Sequence, residues 1–524
     1  MMMMRSKTRQ AFCMSVLLCT IAAGFVSYGL VPERAALALA GQSSAEHITL
    51  ALTSPALSDH STASLVKQQD NEKIDRFMET AIDRLHIPGA AIGIVSKDGE
   101  IYTKGYGKAN ANGKAVTPQT PFILGSTSKS FTGLAVMQLA DEGKIDLDAP
   151  VQTYLPDFTA ANAQRAAVVT VRQLLNQTSG IPAIAGLKLN SLDVSLKQYP
   201  ATLKDIKLRG AAGAKFEYSN ANYNVLGALI QAVSGQSYGE YVQKHIFTPL
   251  SMEHSFTSRA LAEQNGLSQG HQSVFGWVRT ANPPDRSVDV PSGYIMSSAE
   301  DMAHYLIGQI NNGVYNEKRV VSESSTLLMH GQDGAPMGKG ATYGMGWIAV
   351  DHTITHDGGV ENFSSNMLIE GDTGIVLLLN KNGSSAGVIT EGIRKILKGE
   401  EPASIPSESG TDWLIRVVSL LVFLFVLRSI YVTVRWRRDV RPERRSIILH
   451  SLSIGLLHLA LPLFLLFAAP NLLQVTWEIA LAFMPGISHL LLIASIMLLA
   501  FGLSRLILLI NSLRNTSSLT TRPQ

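Results

Sequence analysis

A serine and a lysine three positions apart, Ser126 and Lys129, are the residues best suited to chemistry, and they begin a predicted helix that ends at Gly143. This spacing places both side chains on one helical face, within contact distance. A serine hydroxyl is a weak nucleophile at its own pKa, but a desolvated lysine can lose its proton and act as its base. The helix N-terminus also points N–H groups at developing negative charge. When a serine and a lysine at this spacing occur without other signals, they are more often an N-cap serine and an exposed lysine than a catalytic pair.

Two further polar clusters follow along the chain. Tyr218-Ser219-Asn220 lies where a loop is predicted to enter a helix, and His356-Asp357-Gly358-Gly359 comes just before a predicted strand. The sequence has no HExxH or CxxC pattern and its histidines are scattered, so no metal or other cofactor is indicated.

Taken together and in this order, the three clusters resemble the serine β-lactamase and penicillin-binding-protein superfamily. The branch they resemble is the class C-like one of β-lactamases, D,D-peptidases, D-aminopeptidases and esterases. The resemblance covers about residues 70–398 and implies an α/β fold, with an antiparallel sheet flanked by helices and a helical subdomain. Segments that share it are Leu174–Pro182, Pro249–Met252, Pro291–Gly293, Ser297–Asp301 and Tyr343–Trp347.

The resemblance implies a role for each matching residue. Ser126 would be the acylated nucleophile and Lys129 its base or proton partner. Tyr218 would exchange protons with the nucleophile and the leaving group, and Asn220 would position the substrate amide. The N–H groups of Ser126 and Gly359 would form the oxyanion hole.

One departure concerns the third cluster. Many family members carry Lys-Thr-Gly where this chain has His356-Asp357-Gly358. The missing lysine removes a fixed positive charge that helps to hold a substrate carboxylate. A neutral group at that subsite is therefore favoured over efficient penicillin or D,D-carboxypeptidase chemistry. His356 could still supply the charge when protonated, or act only as a hydrogen-bonding strand residue.

The elements predicted around these clusters form one sheet built from both ends of a domain, with residues 128–310 as a mostly helical middle. Apolar periodicity predicts a helix from Ile74 to Leu85, and Asp98-Gly99 is a strong hairpin signal. The predicted strands are Ala90–Val95, Glu100–Tyr106, Tyr343–Val350, Ser364–Glu370 and Gly374–Asn380, and a helix follows over Ser384–Leu397.

The composition indicates that part of the chain lies in lipid. Only 16% of the 524 residues are charged and 46% are hydrophobic, whereas soluble domains carry roughly 25% charged residues. A net charge of +3 is too small to indicate a nucleic-acid partner. Three predicted transmembrane spans, each long enough for the bilayer core, are Trp413–Trp436, Ile447–Phe467 and Ile487–Ile510.

Both ends of the chain predict the same topology. Basic residues, an apolar stretch and Ala38-x-Ala40 indicate a signal peptide cleaved before Gly41, with an uncleaved anchor as the alternative. Cys13 and Cys19 both precede that site, so the mature chain would have no cysteine. Six arginines between Arg435 and Arg445 place the first inter-span loop in the cytoplasm. We therefore expect a multi-pass cell-membrane protein with an extracytoplasmic hydrolase domain.

The predicted divisions are a signal peptide at 1–40, a spacer at 41–70, a hydrolase domain at 71–400, a linker at 401–411, a three-helix transmembrane region at 412–511 and a cytoplasmic tail at 512–524.

This architecture resembles the prodrug-activating peptidases of the colibactin and zwittermicin type, which remove an N-acyl-D-asparagine cap outside the cytoplasm. Asn362 and His271 are candidates for the carboxamide pocket, with a turn residue and a loop or core histidine as the alternatives. The expected partners are a small peptide or acyl-amide substrate and a lipid membrane, and the spans could support a homo-oligomer.

The leading hypothesis is a membrane-anchored serine peptidase or amidase acting on D-aminoacyl amides. A penicillin-binding protein, a D,D-carboxypeptidase or a weak β-lactamase or esterase is the alternative. A third class, a non-enzymatic envelope sensor, is disfavoured by the complete set of Ser126, Lys129 and Tyr218.

Overall fold

The structure is a computed structural model that describes residues 60–189, 194–283, 285–383, 385–405, 409–439, 448, 451–468, 470 and 476–519. The predicted signal peptide, both cysteines and the spacer up to residue 59 lie outside these residues. The chain divides into two compact units. The sheet unit contains the described residues up to 272 and from 278 to 405, and the helix unit contains 273–277 and the described residues from 409.

The strands, in chain order, are β1 Gly89–Ser96, β2 Gly99–Gly107, β3 Phe122–Ile123, β4 His271–Val274, β5 Trp277–Thr280, β6 Met296–Ser297, β7 Val314–Tyr315, β8 Lys318–Arg319, β9 Ala335–Gly338, β10 Ala341–Tyr343, β11 Ile348–Val350, β12 Thr353–Gly359, β13 Ser364–Glu370 and β14 Thr373–Leu379. Eight of them form one antiparallel sheet in the order β2-β1-β14-β13-β12-β11-β10-β9. The prediction of a sheet built from both ends of the domain is confirmed.

The helices of the sheet unit are α1 His60–Arg84, α2 Ser128–Asp141, α3 Ala163–Ala167, α4 Val171–Leu175, α5 Ala183–Leu189, α6 Asn220–Ser234, α7 Tyr238–Val242, α8 Arg259–Gln264, α9 Val290–Gly293, α10 Ala299–Ile310, α11 Glu323–Met329 and α12 Ser385–Leu397. Most of them lie between β2 and β9 in sequence, which agrees with the predicted helical middle.

Two hydrophobic layers hold the central strands. In β14, Ile375 and Leu377 face a cluster that includes Ile74 and Ile389, from α1 and α12. The alternate residue Val376 faces the larger cluster that contains α2. Side chains on a strand alternate between its faces, so a sheet covered on both sides needs the nearly continuous apolar run that β14 carries.

Three boundaries differ from the sequence predictions. Helix α1 begins at His60, inside the segment predicted as spacer. The strand predicted over Tyr343–Val350 is two strands, β10 and β11, because a turn at Gly346, with φ of +96°, separates them. A Cβ at Gly346 would lie 2.7 Å from the Lys129 carbonyl oxygen, so this turn packs tightly on α2. His356 lies within β12 rather than just before a strand.

The helix unit contains α13 Ser409–Asp439, π-helical turns over Ile454–Ala460 and Phe464–Ala468, and the helices α14 Leu461–Leu463, α15 Trp477–Phe483 and α16 Ile487–Leu519. Within the described part of the chain, three helical stretches are long and apolar enough to cross a membrane: Trp413–Arg435, Ser451–Ala468 and Ile487–Asn511. They coincide with the predicted spans to within a few residues.

A polar contact joins these three stretches. The buried guanidinium of Arg505 donates to Thr433 Oγ1 at 2.8 Å and lies 3.3 Å from His458 Nε2. Polar contacts of this kind stabilise helix association in lipid.

Candidate active site

Ser126 lies in a short 3₁₀ turn, Gly125–Thr127, that leads directly into α2. The preceding residue, Leu124, is fixed from two sides. Its N–H donates to the Ile295 carbonyl oxygen at 2.9 Å, and its own carbonyl oxygen accepts from Ser365 Oγ at 2.5 Å. The nucleophile predicted from the sequence is therefore held on a rigid turn between β13 and the β3–β6 pair.

Lys129 is fully buried and lies where its amine contacts Ser126. Its Nζ is 3.1 Å from Ser126 Oγ, 2.8 Å from Asn220 Oδ1 and 2.5 Å from the Ser292 carbonyl oxygen. It also lies 4.8 Å from the centre of the Tyr218 ring. Burial lowers the pKa of Lys129 well below its usual range, which favours the neutral amine.

The three contacts determine where a neutral Lys129 keeps its lone pair. A neutral amine has two hydrogens and one lone pair. The Asn220 and Ser292 oxygens can only accept, so they take the two hydrogens. The lone pair then faces the Ser126 hydroxyl, the remaining neighbour of the three. The arrangement can therefore remove the proton of Ser126.

Tyr218 contributes a phenol to the same cleft. Burial raises the pKa of Tyr218 well above its usual range, against a smaller opposing effect of the Ser126 hydroxyl. Its ring meets Tyr343 edge-on, with the ring centres 6.0 Å apart. Because Tyr218 keeps its proton, it is suited to donate a hydrogen bond or a proton rather than to act as the initial base.

Gln177 holds the loop that carries Tyr218 and Asn220, a role that the sequence analysis did not assign. Its Oε1 accepts from the Ser219 N–H at 2.9 Å and from Asn222 Nδ2 at 2.5 Å. Gln177 has φ of +58°. The matching segment Leu174–Pro182 was the only sequence signal for this position, since no periodicity marks it.

His356 is buried and neutral. Its Nδ1 lies 2.7 Å from the Asp357 carbonyl oxygen, which can only accept, so Nδ1 carries the hydrogen. Its Nε2 is buried and has no hydrogen-bond partner among the residues that the structure describes. Burial, with the nearby Lys129, lowers the pKa of His356 to about 3. Burial therefore favours the alternative in which His356 is a hydrogen-bonding strand residue over the one in which a protonated His356 supplies positive charge.

Two glycines bring the end of β12 against the nucleophile turn. A Cβ at Gly125 would lie 2.3 Å from the Gly359 nitrogen, and one at Gly358 would lie 2.0 Å from the Leu124 carbonyl oxygen. Gly125 also has φ of +63°, which L side chains rarely adopt. This close approach brings the Gly359 nitrogen against the turn that carries Ser126, and the role of its N–H in an oxyanion hole stays a prediction.

Replacing Gly125 with alanine is expected to lower kcat/KM by about 10²–10³-fold, the loss typical of one oxyanion-hole donor. The added Cβ must displace the Gly359 nitrogen. Gly143→Ala is the matched control, since Gly143 has φ of +69° but open space around its Cβ. Both variants carry backbone strain, and we expect only Gly125→Ala to lose activity while circular dichroism stays native. Equal activities for the two variants would contradict the role of the close approach.

His271 and Asn362 lie together, joined by a 3.0 Å bond from the His271 N–H to the Asn362 carbonyl oxygen. Their side chains contact backbone: His271 Nδ1 lies 3.0 Å from the Asn380 carbonyl oxygen, and Asn362 Nδ2 donates to Ala281 at 2.8 Å. Asn362 Oδ1 is buried and has no partner within the described part of the chain. These contacts agree with structural roles, and the carboxamide pocket stays a prediction.

A second serine occupies a Gly-x-Ser-x-Gly sequence, Gly266–Gly270, of a kind typical of other hydrolases. Ser268 is buried, donates to the Ala109 carbonyl oxygen at 3.1 Å and accepts from Asn380 Nδ2 at 3.1 Å. Its contacts are those of a structural residue rather than of an exposed nucleophile.

Among the residues that the structure describes, one group of side chains could hold a metal ion. Ligand atoms of His254, Glu300 and Asp301 lie within 4.8 Å of one another. The Asp301 carboxylate accepts from the His254 N–H at 2.7 Å and from Ser255 Oγ at 2.6 Å. Those bonds account for the group as local structure at the start of α10.

Comparison with known proteins gives concordant matches. A family model described as Beta-lactamase matches residues 73–398. Protein flp of Staphylococcus aureus (strain COL) is 30% identical over 433 residues, which cover 79% of this chain and 86% of that protein. Penicillin-binding protein 4 of Amycolatopsis lactamdurans is 28% identical over 60% of this chain and 85% of its own. The octameric penicillin-binding protein homologue from Pyrococcus abyssi superposes with a TM-score of 0.56 and 27% identity, over 64% of this chain and 78% of that chain.

Proposed function

This chain belongs to the serine β-lactamase and penicillin-binding-protein superfamily and is a serine hydrolase that acts through an acyl-enzyme. We propose that its substrates are D-aminoacyl amides. The observation that carries the uncharged leaving group in this proposal is the buried His356, neutral at the position where many family members place a lysine. The D-aminoacyl part of the proposal rests on the resemblance stated above.

In the proposed acylation step, Ser126 Oγ attacks the substrate carbonyl carbon and its proton passes to Lys129 Nζ. The lone pair that faces Ser126 at 3.1 Å supports this transfer. The N–H groups of Ser126 and Gly359 stabilise the oxyanion. The C–N bond then breaks, and the leaving amine takes a proton from the Lys129 ammonium through the Tyr218 hydroxyl.

In the proposed deacylation step, a water molecule attacks the ester carbonyl carbon. Its proton passes by the same route to Lys129, and the Ser126 oxygen leaves with a proton from the lysine. Asn220 takes a positioning role in both steps, because its Oδ1 accepts from Lys129 at 2.8 Å. Asn220 would thus orient Lys129 in addition to the substrate amide, which is the role predicted for it from the sequence.

Charge supports a neutral leaving group. His356 carries no positive charge at neutral pH, and burial favours the neutral form of Lys129. A substrate carboxylate beside them would lose its hydration without gaining a cation, at an effective cost of several kcal/mol. A leaving group that ends in an uncharged amide does not incur this desolvation cost. The sharpest form of the proposal is removal of an N-acyl-D-asparagine cap.

The second candidate is a penicillin-binding protein or a weak β-lactamase, which the likeness to Penicillin-binding protein 4 of Amycolatopsis lactamdurans supports. For either candidate we propose that the three apolar stretches anchor the protein in the cell membrane. The hydrolase domain would then lie outside the cytoplasm and take substrates that reach the membrane surface.

Two substrates that differ only in charge test the proposal. We expect the full-length protein to cleave N-acyl-D-asparaginyl-alaninamide with a kcat/KM about tenfold or more above that for N-acyl-D-asparaginyl-alanine, since the second carries an unpaired carboxylate. His356→Lys should reverse or remove this preference. The corresponding L-asparaginyl amide is the stereochemical control, and released acyl-asparagine is read by mass spectrometry.

Benzylpenicillin, assayed beside the two peptides, separates the candidates. Turnover of penicillin, or a stable penicilloyl adduct, without cleavage of either D-asparaginyl substrate would establish the second candidate. Preference for the carboxylate substrate in the wild type would contradict the argument from His356.

A further inference from the structure

A buried carboxyl group, Asp289, lies one helical turn from the oxygen that holds Lys129. Asp289 precedes α9, and only 1% of its surface is exposed. Its carbonyl oxygen accepts from Ser292 Oγ at 3.1 Å, and the Ser292 carbonyl oxygen accepts from Lys129 Nζ at 2.5 Å. The position of Asp289 relative to Lys129 is therefore fixed by a single short helix.

The Asp289 side chain does not cap helix α9, because it makes no hydrogen bond to the N–H groups of that helix. Asn224 Nδ2 donates to Asp289 Oδ1 at 2.8 Å, but Oδ2 is buried and has no hydrogen-bond partner among the described residues. The same holds for Asn224 Oδ1 and the Tyr199 hydroxyl. Buried polar atoms usually have partners, so an unpartnered carboxyl oxygen this close to the site calls for an explanation.

The charges around Asp289 and Lys129 come from several elements. The ionised Asp289 acts on Lys129 and raises its pKa against the larger opposing effect of burial. Asp289 itself is influenced by Arg286 and Glu361, which pair with each other at 2.8 Å. The neutral groups that face the pair are Tyr199 and Asn224 beside Asp289, and Tyr218, Tyr223 and His356 beside Lys129.

We propose that Asp289 is a positioning residue whose carboxylate stabilises Lys129 in its protonated form while the lysine holds the proton of Ser126. The proposal rests on the proposed function, in which Lys129 is the base. During acylation Lys129 becomes an ammonium in a fully buried site, and burying an unpaired ammonium is costly. A fixed carboxylate offsets that cost at the step where the charge appears.

The Asp289 carboxylate can act on Lys129 at neutral pH. Burial raises the pKa of Asp289 to about 7. Because Asp289 and Lys129 interact, they titrate as a pair and their apparent pKa values belong to both. Above the titration range, Asp289 is ionised and Lys129 is neutral, which is the state ready to accept a proton.

Removing the carboxylate of Asp289 should shift the acidic limb of the pH profile in a defined direction. An ionised Asp289 raises the pKa of Lys129, so Asp289→Asn lowers that pKa. The acidic limb of the kcat/KM profile should therefore move to lower pH, by about half a unit or more. A less basic lysine is also a weaker proton acceptor, so the plateau should fall by about tenfold or more.

The test measures kcat/KM from pH 5 to 9 with a chromogenic N-acyl-D-asparaginyl amide, using the full-length wild type, Asp289→Asn and Asp301→Asn. Asp301 is the matched control, a buried carboxyl that accepts from Ser255 and from the His254 backbone. We expect no shift of the limb in Asp301→Asn. A second variant, Asn224→Leu, removes a bond that lowers the pKa of Asp289, so the carboxyl should bind its proton at higher pH. The acidic limb of Asn224→Leu should therefore move to higher pH, opposite to that of Asp289→Asn.

A lower plateau in Asp289→Asn without movement of the limb, or movement to higher pH, would overturn the proposal and leave Asp289 a packing residue. If Asp289→Asn fails to fold, Asn224→Leu decides: a limb that moves to higher pH supports the proposal, and a limb that stays in place or moves to lower pH overturns it. Failure here is distinct from failure of the proposed function. In the first case Ser126 is still acylated by the amide, and in the second it is not.

Discussion

Replacing Ser126 with alanine is expected to abolish turnover, with kcat/KM for an N-acyl-D-asparaginyl amide falling by about 10⁴-fold or more. The acyl-enzyme cannot form without the hydroxyl that lies 3.1 Å from Lys129 Nζ. The oxyanion N–H groups remain, so slow hydrolysis by water sets the floor. Product release by the full-length protein, read by mass spectrometry, measures the loss.

Ser130→Ala is the matched control for Ser126→Ala. Ser130 lies on the same helix, is buried, and donates to the Thr127 carbonyl oxygen at 2.8 Å. We expect Ser130→Ala to stay within about tenfold of wild type, since loss of one such hydrogen bond costs about 1 kcal/mol. Residual activity in Ser126→Ala above about 1% of wild type would exclude Ser126 as the nucleophile, because that lies well above the expected floor.

The second large effect is expected for Lys129. Lys129→Met keeps an unbranched side chain in the buried site but removes the amine, and kcat/KM should fall by about 10³-fold or more. Burial raises the pKa of Tyr218 well above its usual range, so its phenol keeps its proton and does not replace the amine as the base. The same assay measures the loss, and circular dichroism checks that the fold is intact.

The Lys129 variant also leaves two acceptors unpaired, Asn220 Oδ1 and the Ser292 carbonyl oxygen. An added alkylamine such as methylamine could re-enter the space next to Ser126 in the smaller variant Lys129→Ala. Partial rescue that grows with pH would identify the missing base. Activity close to wild type in either variant would make Lys129 a structural residue only.

How much of the site the sequence can predict depends on how local each contact is. The contact between Ser126 and Lys129 follows from helix geometry over three residues, and the structure has it at 3.1 Å. Tyr218 and Asn220 lie some 90 positions further along, so only the resemblance to a known family connected them to Ser126. The position of Tyr218 and Asn220 next to Ser126 depends on Gln177, which hydrogen-bonds the loop that carries them. No periodicity in the sequence marks Gln177.

Protonation states could not be predicted from the sequence. The choice between a charged and a neutral His356 depends on burial and on the Asp357 carbonyl oxygen that fixes the tautomer. Asp289 was not a candidate at all, because its role depends on the short turn that places Ser292 against Lys129.

For the fold, apolar runs such as β14 predicted strands well. The break between β10 and β11 was missed because glycines within an apolar run carry no periodicity of their own.

The most direct measurement of the central claim is the site of the acyl group during turnover. The full-length protein, quenched with acid while it hydrolyses an N-acyl-D-asparaginyl amide, is digested and its peptides are mapped by mass spectrometry. We expect the mass of the acyl-D-asparaginyl group on Ser126, and no such mass in Ser126→Ala. Turnover with the acyl group on another residue, or rapid turnover with no covalent adduct at any quench time, would contradict the account.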